Sequence, residues 1–150
     1  MRTFQGLPDL AASAGEDLGM TDWLVIDQAR IDRFADATGD HQWIHVDPER
    51  AKDGPFGRTI AHGFLTLSLL PVLQQQLYAV ENVRMAVNYG LNKVRFMSPV
   101  PVDAKIRARA RLGDVDQLDG AVQVTFVTTF EIEGVEKPAA VAESIARFFE

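Results

Sequence analysis

An aspartate and a histidine, Asp40 and His45, lie five residues apart just after a glycine that is expected to end a helix. Histidine exchanges protons near neutral pH, and an adjacent carboxylate can take or orient the other proton of the same small substrate. Both groups can reach one molecule from an irregular loop, whereas a strand or a helix would fix them on set faces. The same spacing is also typical of a turn-forming aspartate beside a hydrogen-bonded histidine. The pair is therefore a candidate acid–base site, with this structural role as the alternative.

The neighbouring polar residues have weaker claims to chemistry. We expect His62 to cap or hydrogen-bond at the start of a helix, in a structural or orienting role, and His41 to be a loop residue. A metal site built from Asp40, His41, His45, Asp47 and His62 is rejected because the spacings match no standard ligand pattern. The chain has no cysteine, which excludes disulfides, thiolate ligands and a cysteine nucleophile.

Length and composition define the kind of protein that carries this pair. The chain has 150 residues, of which 47% are hydrophobic and 24% charged, as expected for one globular domain spanning residues 1–150. A net charge of −6 argues against a general nucleic-acid binder. The N-terminal segment does not resemble a signal peptide, and the most apolar run, Phe64–Leu73, is too short to cross a bilayer. We therefore expect a cytoplasmic protein.

Helices are predicted on both sides of the candidate pair. Asp27 has the character of an N-cap for a helix over residues 28–38, which Gly39 ends. No period runs through residues 40–59, so we expect a long ordered loop there. A helix from about His62 to Ala79 is apolar on nearly all sides and should be kinked or ended at Pro71. Such a helix has to be wrapped by other structure.

The second half of the chain supplies a sheet for this purpose. Alternating apolar residues predict strands over residues 105–112 and 122–132, with a hairpin at Asp119-Gly120 between them. Two further strands are predicted over residues 84–96 and 139–149. A short helix over residues 7–14 and a short strand over residues 23–26 precede them. One apolar helix with an antiparallel sheet predicts an α+β fold in which the sheet curls around the helix. The edge strands can pair with a second subunit.

The segment GDHQWIHVDPERA, residues 39–51, resembles the signature of the hydratase–dehydratase branch of the MaoC-like family. That signature has glycine-aspartate, asparagine-proline, an aliphatic residue, histidine, and an alanine or serine six residues later. This chain matches it at Gly39, Asp40, Ile44, His45 and Ala51. The downstream segment TIAHGF, residues 59–64, resembles the start of the family's central helix. The order of elements is similar to the family's hotdog fold, and the resemblance covers most of the chain.

The sequence departs from the family pattern at two positions. The family's asparagine is Gln42 here, so an orienting contact from its amide to Asp40 is placed one carbon further out. The family's proline is Trp43, which adds bulk that can alter the acyl pocket. Neither change removes the proposed acid–base pair.

The resemblance implies an (R)-specific enoyl-CoA hydratase that adds water reversibly to trans-2-enoyl thioesters. In the family mechanism Asp40 and His45 hold one water. Asp40 draws off its proton as the oxygen attacks C3, and His45 helps to bind the water and protonates C2. The backbone N–H of Gly63 would meet the negative charge on the thioester carbonyl. The implied substrate-binding set also includes Ile60, Ala61, His62 and Asn88, and no metal or other cofactor is required.

Several alternatives and partners remain open from the sequence. A hotdog acyl-CoA thioesterase and a non-catalytic acyl-thioester binding subunit are the rival functions. The carrier of the acyl group is coenzyme A or an acyl carrier protein, and the expected assembly is a homodimer. A set of basic residues could meet the phosphates of coenzyme A or form a solvated strand face: Arg58, Lys93, Arg95, Lys105, Arg107, Arg109 and Arg111.

Overall fold

The computed structural model describes residues 1–150. The strands are β1 (Arg2–Phe4), β2 (Asp17–Met20), β3 (Leu24–Val25), β4 (Tyr78–Val80), β5 (Met85–Phe96), β6 (Lys105–Leu118), β7 (Ala121–Ile132) and β8 (Val135–Phe149). The helices are α1 (Leu7–Ala11), α2 (Gln28–Thr38), α3 (Trp43–Val46), α4 (Pro48–Lys52), α5 (Gly63–Ser68) and α6 (Leu70–Gln74). None of these helices combines the length and the apolar character needed to cross a membrane.

Four long antiparallel strands dominate the main sheet, whose order is β2-β6-β7-β8-β5 with β3 also paired with β6. Buried and more exposed residues alternate along β7, which confirms the predicted period of two. The predicted hairpin joins β6 and β7 at Asp119-Gly120, and Gly120 adopts a φ of 68° that few other residues tolerate. The α+β layout predicted from the sequence is confirmed, with the helices packed on one face of the sheet.

Helix α2 begins and ends where its capping residues predict. The Asp27 side chain accepts a hydrogen bond from the Arg30 backbone N–H at 2.8 Å. At the other end Gly39 is left-handed, with a φ of 81°, and its N–H donates to the Ala35 carbonyl. Both signals are local, so the sequence alone places this helix correctly.

The central helical segment differs from the single helix that the sequence predicts. It is broken at Leu69 into α5 and α6, and residues 78–80 form β4 instead of a further helical turn. Pro71 stands in the first turn of α6 and has no N–H to continue the ladder of the preceding turn, so the break comes slightly earlier than its position. The segment is also not wrapped on all sides, since Phe64 is 68% exposed and Val72 49% exposed.

The region from residue 40 to residue 59 is more regular than predicted. It contains the short helices α3 and α4 in place of one long loop. The Asp47 side chain accepts a hydrogen bond from the Arg50 N–H at 3.0 Å, and Pro48 follows it at the first turn of α4. Asp47 as N-cap and Pro48 in the first turn both favour a helix N-terminus, which explains why α4 forms here.

The core has two parts that share the helical face of the sheet. One lies below α2, α5 and α6 and includes Ile31, Leu73 and Phe130, each fully buried. The other joins α1 to the far end of the sheet and includes Phe4 and Phe126. Strand β1 is held there by parallel pairing with β4, a contact absent from the sequence-based prediction. The first core part supports the segment in which Asp40, His45 and the TIAHGF motif lie.

Candidate active site

Three separate segments bring their polar side chains to one place. Asp40 follows α2, His45 lies on α3, and His62 immediately precedes α5. A carboxylate oxygen of Asp40 and a ring nitrogen of each histidine all lie within 4.8 Å of one another. The Asp40 side chain is exposed, whereas His45 and His62 are only 7% and 2% exposed. The site therefore places a solvent-exposed carboxylate beside two buried imidazole rings.

The ring of His45 is oriented by a backbone carbonyl. Its Nδ1 lies 2.7 Å from the carbonyl oxygen of Ile60. A carbonyl oxygen only accepts hydrogen bonds, so Nδ1 carries the hydrogen and Nε2 of the neutral ring carries a lone pair. Burial lowers the pKa of His45, and the nearby His62 adds to this lowering, while the Ile60 carbonyl and Asp40 oppose it. The neutral ring, with Nε2 free to accept, is therefore favoured at neutral pH.

Gln28, on α2, fastens the backbone around His45, and the sequence-based prediction missed it. Its side-chain Nε2 donates to the His45 carbonyl at 2.7 Å. Its Oε1 accepts from the hydroxyl of Thr59, a residue 1% exposed, at 2.6 Å. One amide thus joins α2, α3 and the segment before α5. No local sequence signal identifies Gln28, because its partners His45 and Thr59 lie 17 and 31 residues further along the chain.

The Asp40 carboxylate receives its nearest donor from the backbone. The N–H of Gln42 lies 3.4 Å from Asp40 Oδ1, a long hydrogen bond. This contact comes from the main chain and not from the Gln42 amide, so the replacement of the family's asparagine leaves it in place. An orienting role for the Gln42 side chain stays a prediction.

A cleft of about 230 Å³ opens beside His45. Ile60, Ala61 and Gly63 line it together with Phe96 from the end of β5. A Cβ added at Gly63 would lie 3.1 Å from the Phe96 ring, so glycine permits close approach of the ring to the backbone. The cleft thus brings three of the five predicted substrate-binding residues beside His45. Asp40 does not line the cleft and reaches it only through its closeness to His45.

Asn88 is not brought to this cleft. It lies on β5 opposite Ala146 and lines a different cleft with Pro71 and Gln74. Phe96 lies eight residues further along the strand, roughly 26 Å away at about 3.3 Å per residue. Within one chain the structure therefore does not support a contact between Asn88 and a substrate held at His45.

His62 and Trp43 also lie outside the walls of the cleft. The Trp43 ring packs against Gly54, and the Arg50 guanidinium lies 4.4 Å from the centre of the Trp43 ring. The bulk added by Trp43 therefore fills the corner between α3 and α4, and the expectation that it reshapes the acyl pocket is not supported.

Acidic neighbours neutralise most of the basic strand face. Lys105 pairs with Glu133 at 3.0 Å, Arg107 with Glu131 at 2.7 Å, and Arg109 with Asp17 at 2.9 Å. These cations alternate with buried residues of β6 and so lie on the face of the sheet away from the helices. These three cations thus lie on a solvated strand face with their own counter-ions, as the alternative interpretation of the sequence predicted.

The cluster of Asp40, His45 and His62 has the residue types of a metal site but not the geometry of one. The two imidazole rings are stacked, with centres 3.9 Å apart and planes inclined by 26°. Lone pairs in nearly parallel planes do not converge on one ion. The nitrogen of His62 that is free of a hydrogen bond is also sealed from solvent. The donor set therefore fits proton transfer better than metal coordination.

The fold and the site first define a class: a hotdog-fold protein with a carboxylate–imidazole pair beside a cleft. The family model described as "MaoC like domain" matches residues 9–134. The chain belongs to the MaoC-like dehydratase family, and it is an enzyme of the hydro-lyase type.

Individual relatives agree with this assignment. The chain is 62% identical over 149 residues to 3-hydroxyacyl-thioester dehydratase Z of Mycobacterium tuberculosis, with 99% of each chain covered. It is 47% identical over 143 residues to nodulation protein N of Rhizobium leguminosarum bv. viciae, covering 93% of this chain and 88% of that protein. The (R)-hydratase of A. caviae involved in PHA biosynthesis shares the fold, with a TM-score of 0.71, 22% identity and coverage of 89% and 94%.

Proposed function

We propose that this protein is an (R)-specific enoyl-CoA hydratase, which adds water reversibly to trans-2-enoyl-CoA and gives (R)-3-hydroxyacyl-CoA. The closeness of the Asp40 carboxylate to the ring of His45, which lines the cleft, is the observation that carries the proposal. The relative named as a 3-hydroxyacyl-thioester dehydratase supports the thioester substrate, since dehydration is the reverse of this reaction. The same chemistry on an acyl carrier protein thioester would use the same pair.

The two side chains would hold one water molecule between them. The Asp40 carboxylate accepts one of its hydrogens, and Nε2 of neutral His45 accepts the other. As the water oxygen attacks C3, its O–H bond breaks towards Asp40 and the electrons of the double bond move towards the thioester. The Asp40 carboxyl group then passes the proton to C2 on the same face. Both groups end the turnover in their starting protonation states.

This mechanism revises the role that the family resemblance implies for His45. A histidine that protonates C2 needs a hydrogen on Nε2, but Nδ1 carries the hydrogen of the neutral ring here. The lowered pKa also makes the doubly protonated ring scarce at neutral pH. We therefore assign His45 the binding and orientation of water, and Asp40 both proton transfers.

The negative charge that develops on the thioester carbonyl needs a donor. The backbone N–H of Gly63, the first residue of α5, has no partner within the helix and stands at the cleft. Helix α5 has only six residues, so this N–H donor and not a long helix dipole would carry the stabilisation. Ile60 and Ala61 would form the adjoining wall.

The remaining proposals concern the whole chain. The first strand pairs with β4 and the last strand lies inside the main sheet, which supports one domain over residues 1–150.

Strand β5 forms an edge of that sheet and carries exposed Met85, Val87, Tyr89 and Leu91. We infer that a homodimer covers this edge, and that Asn88 can contribute to a substrate site only in such an assembly. A cytoplasmic location stays a prediction.

Substitution of the pair tests the proposed function. We expect Asp40→Asn and His45→Ala each to lower kcat for crotonyl-CoA hydration by about a hundredfold or more, the usual contribution of a positioned acid–base group. Loss of the enoyl absorbance band measures the reaction. Asp36→Asn is a matched control, because Asp36 is an exposed carboxylate that contacts only His41.

The thioesterase and binding-subunit alternatives predict different results in the same crotonyl-CoA assay. A thioesterase would release free coenzyme A, which a thiol reagent detects, and a binding subunit would bind the thioester without changing the enoyl band. The proposal is abandoned if wild-type protein releases thiol without hydration, or if either variant of the pair hydrates crotonyl-CoA near the wild-type rate.

A further inference from the structure

His62 touches both members of the proposed pair although it does not line the cleft. Its Nε2 lies 2.9 Å from the backbone carbonyl oxygen of Asp40. Its ring stacks on the His45 ring with centres 3.9 Å apart, and the Phe34 ring lies 5.0 Å away. The side chain is therefore enclosed between α2, α3 and the start of α5.

The hydrogen-bond partner defines the tautomer of His62. A carbonyl oxygen only accepts, so Nε2 carries the hydrogen and donates it to Asp40. Nδ1 then carries a lone pair, and it is the one buried side-chain nitrogen or oxygen of this protein that lacks a hydrogen-bond partner. Proteins rarely leave such an atom unsatisfied. His62 therefore supplies one N–H donor to the Asp40 carbonyl and one ring face to His45.

Asp40 has few other restraints. It follows the left-handed Gly39, its side chain is exposed, and its own N–H lies 3.5 Å from Thr38 Oγ1. The donor to its carboxylate lies at 3.4 Å. The bond from His62 is the shortest hydrogen bond that Asp40 makes, and the only one from a buried side chain.

We propose that His62 is a positioning residue, whose Nε2–H anchors the backbone of Asp40 while its ring supports the face of His45. The effect on turnover rests on the proposed hydratase function, because it acts through these two groups. The sequence predicted both a substrate-binding and an orienting role for His62, and its burial behind the cleft favours the second. A small displacement of a catalytic group can lower a rate by about a hundredfold.

Two substitutions separate the donor from the ring. His62→Gln keeps an N–H near the position of Nε2 but removes the ring, and His62→Phe keeps a ring but removes the donor. We expect kcat for crotonyl-CoA hydration to fall by about thirtyfold or more in His62→Phe and by no more than about fivefold in His62→Gln. KM should stay within about threefold in both variants, since neither change removes a substrate contact.

The pKa of His45, measured by NMR of its imidazole, should rank the two variants in the opposite order to kcat. Asp40 and His62 are the ionisable groups that act on His45. Loss of the ring in His62→Gln admits water beside His45 and weakens the burial that lowers its pKa, so this pKa should rise towards its ordinary value. It should change less in His62→Phe. His41→Gln, at an exposed histidine of the same segment, should change neither kcat nor this titration.

A third measurement needs neither turnover nor a folded variant. The ¹⁵N shifts of His62 in the wild-type protein should show the hydrogen on Nε2, and a hydrogen on Nδ1 would overturn the anchor. Equal kcat values in folded Gln and Phe variants would also overturn it, and so would a raised KM with unchanged kcat. If wild-type protein hydrates no enoyl thioester, the proposed function fails, while the tautomer and the titration of His45 still decide the positioning role.

Discussion

His45 has a defined hydrogen-bonding direction, and this has a consequence for the pH dependence of the reaction. The Ile60 carbonyl takes the hydrogen on Nδ1, so a free Nε2 is the group that meets water. Burial lowers the pKa of the ring below its ordinary value of 6.5. If the neutral ring is the working form, kcat/KM for hydration rises with pH as His45 loses its proton, at a midpoint below 6.5, and then stays level towards about pH 8.

The pH profile of kcat/KM checks this sign. The control is His41→Gln, because contact with Asp36 raises the pKa of His41 and its titration must not be mistaken for that of His45. A rate that falls as pH rises through the same midpoint would show that protonated His45 is required. In that case His45, and not Asp40, supplies the proton to C2.

At the same scale, the sequence indicates the reacting pair and an orienting role for His62, but not the contacts through which His62 and Gln28 support the pair. Asp40 and His45 are recognised because their types and spacing form a motif within one short segment. His62 and Gln28 act through contacts with residues 22 and 31 positions away. Such contacts depend on how α2 and α5 pack, which no local pattern records. The sequence therefore predicts the chemistry better than the positioning.

Gln28 shows how the elements hold the pair in place. Replacement by alanine removes its bonds to the His45 carbonyl and to the buried Thr59 hydroxyl. We expect Gln28→Ala to lower the free energy of unfolding by about 2 kcal/mol, since a buried group left without a partner costs about 1–3 kcal/mol. Denaturant titration at one fixed protein concentration measures this, and kcat should fall as well because α3 loses its tie to α2.

Asp32→Ala is the control for this substitution. Gln28 also donates to Asp32 Oδ1 on the exposed side of α2, so this change removes only a solvent-exposed contact. We expect a loss within about 0.5 kcal/mol. Equal losses in the two variants would show that the buried bonds of Gln28 do not tie the elements together.

The elements themselves were predictable to different degrees. Helix α2 was placed correctly because Asp27 and Gly39 mark its ends locally. The central helix was predicted too long because apolar residues continue past Pro71, while their true fate depends on distant partners. Tyr78 pairs with Arg2, 76 positions earlier, and this parallel pairing turns residues 78–80 into a strand. This long-range pairing overrides the local helical propensity of residues 78–80, and a prediction from local sequence cannot include it.

At the scale of the whole molecule, the main sheet has a free edge at β5. This long strand pairs only with β8, and its other side carries no neighbour within the chain. Long edges with exposed apolar side chains are sites where another strand can pair. A second copy of β5 would extend the sheet across a two-fold axis, the commonest symmetry of homo-oligomers. The cleft at His45 begins beside Phe96, at the end of the same strand.

A charged substitution on β5 tests this assembly. We expect light scattering to give twice the chain mass of 16.6 kDa for the wild type, and a shift towards a single chain for Leu91→Lys. Leu91 is 47% exposed on β5, and Leu118, 42% exposed near the β6–β7 hairpin, provides the matched control Leu118→Lys. A charge at Leu91 would be desolvated by a partner, whereas one at Leu118 stays in water. A wild type of 16.6 kDa, or equal effects of the two changes, would exclude β5 as the dimer edge and with it any part for Asn88 at the site.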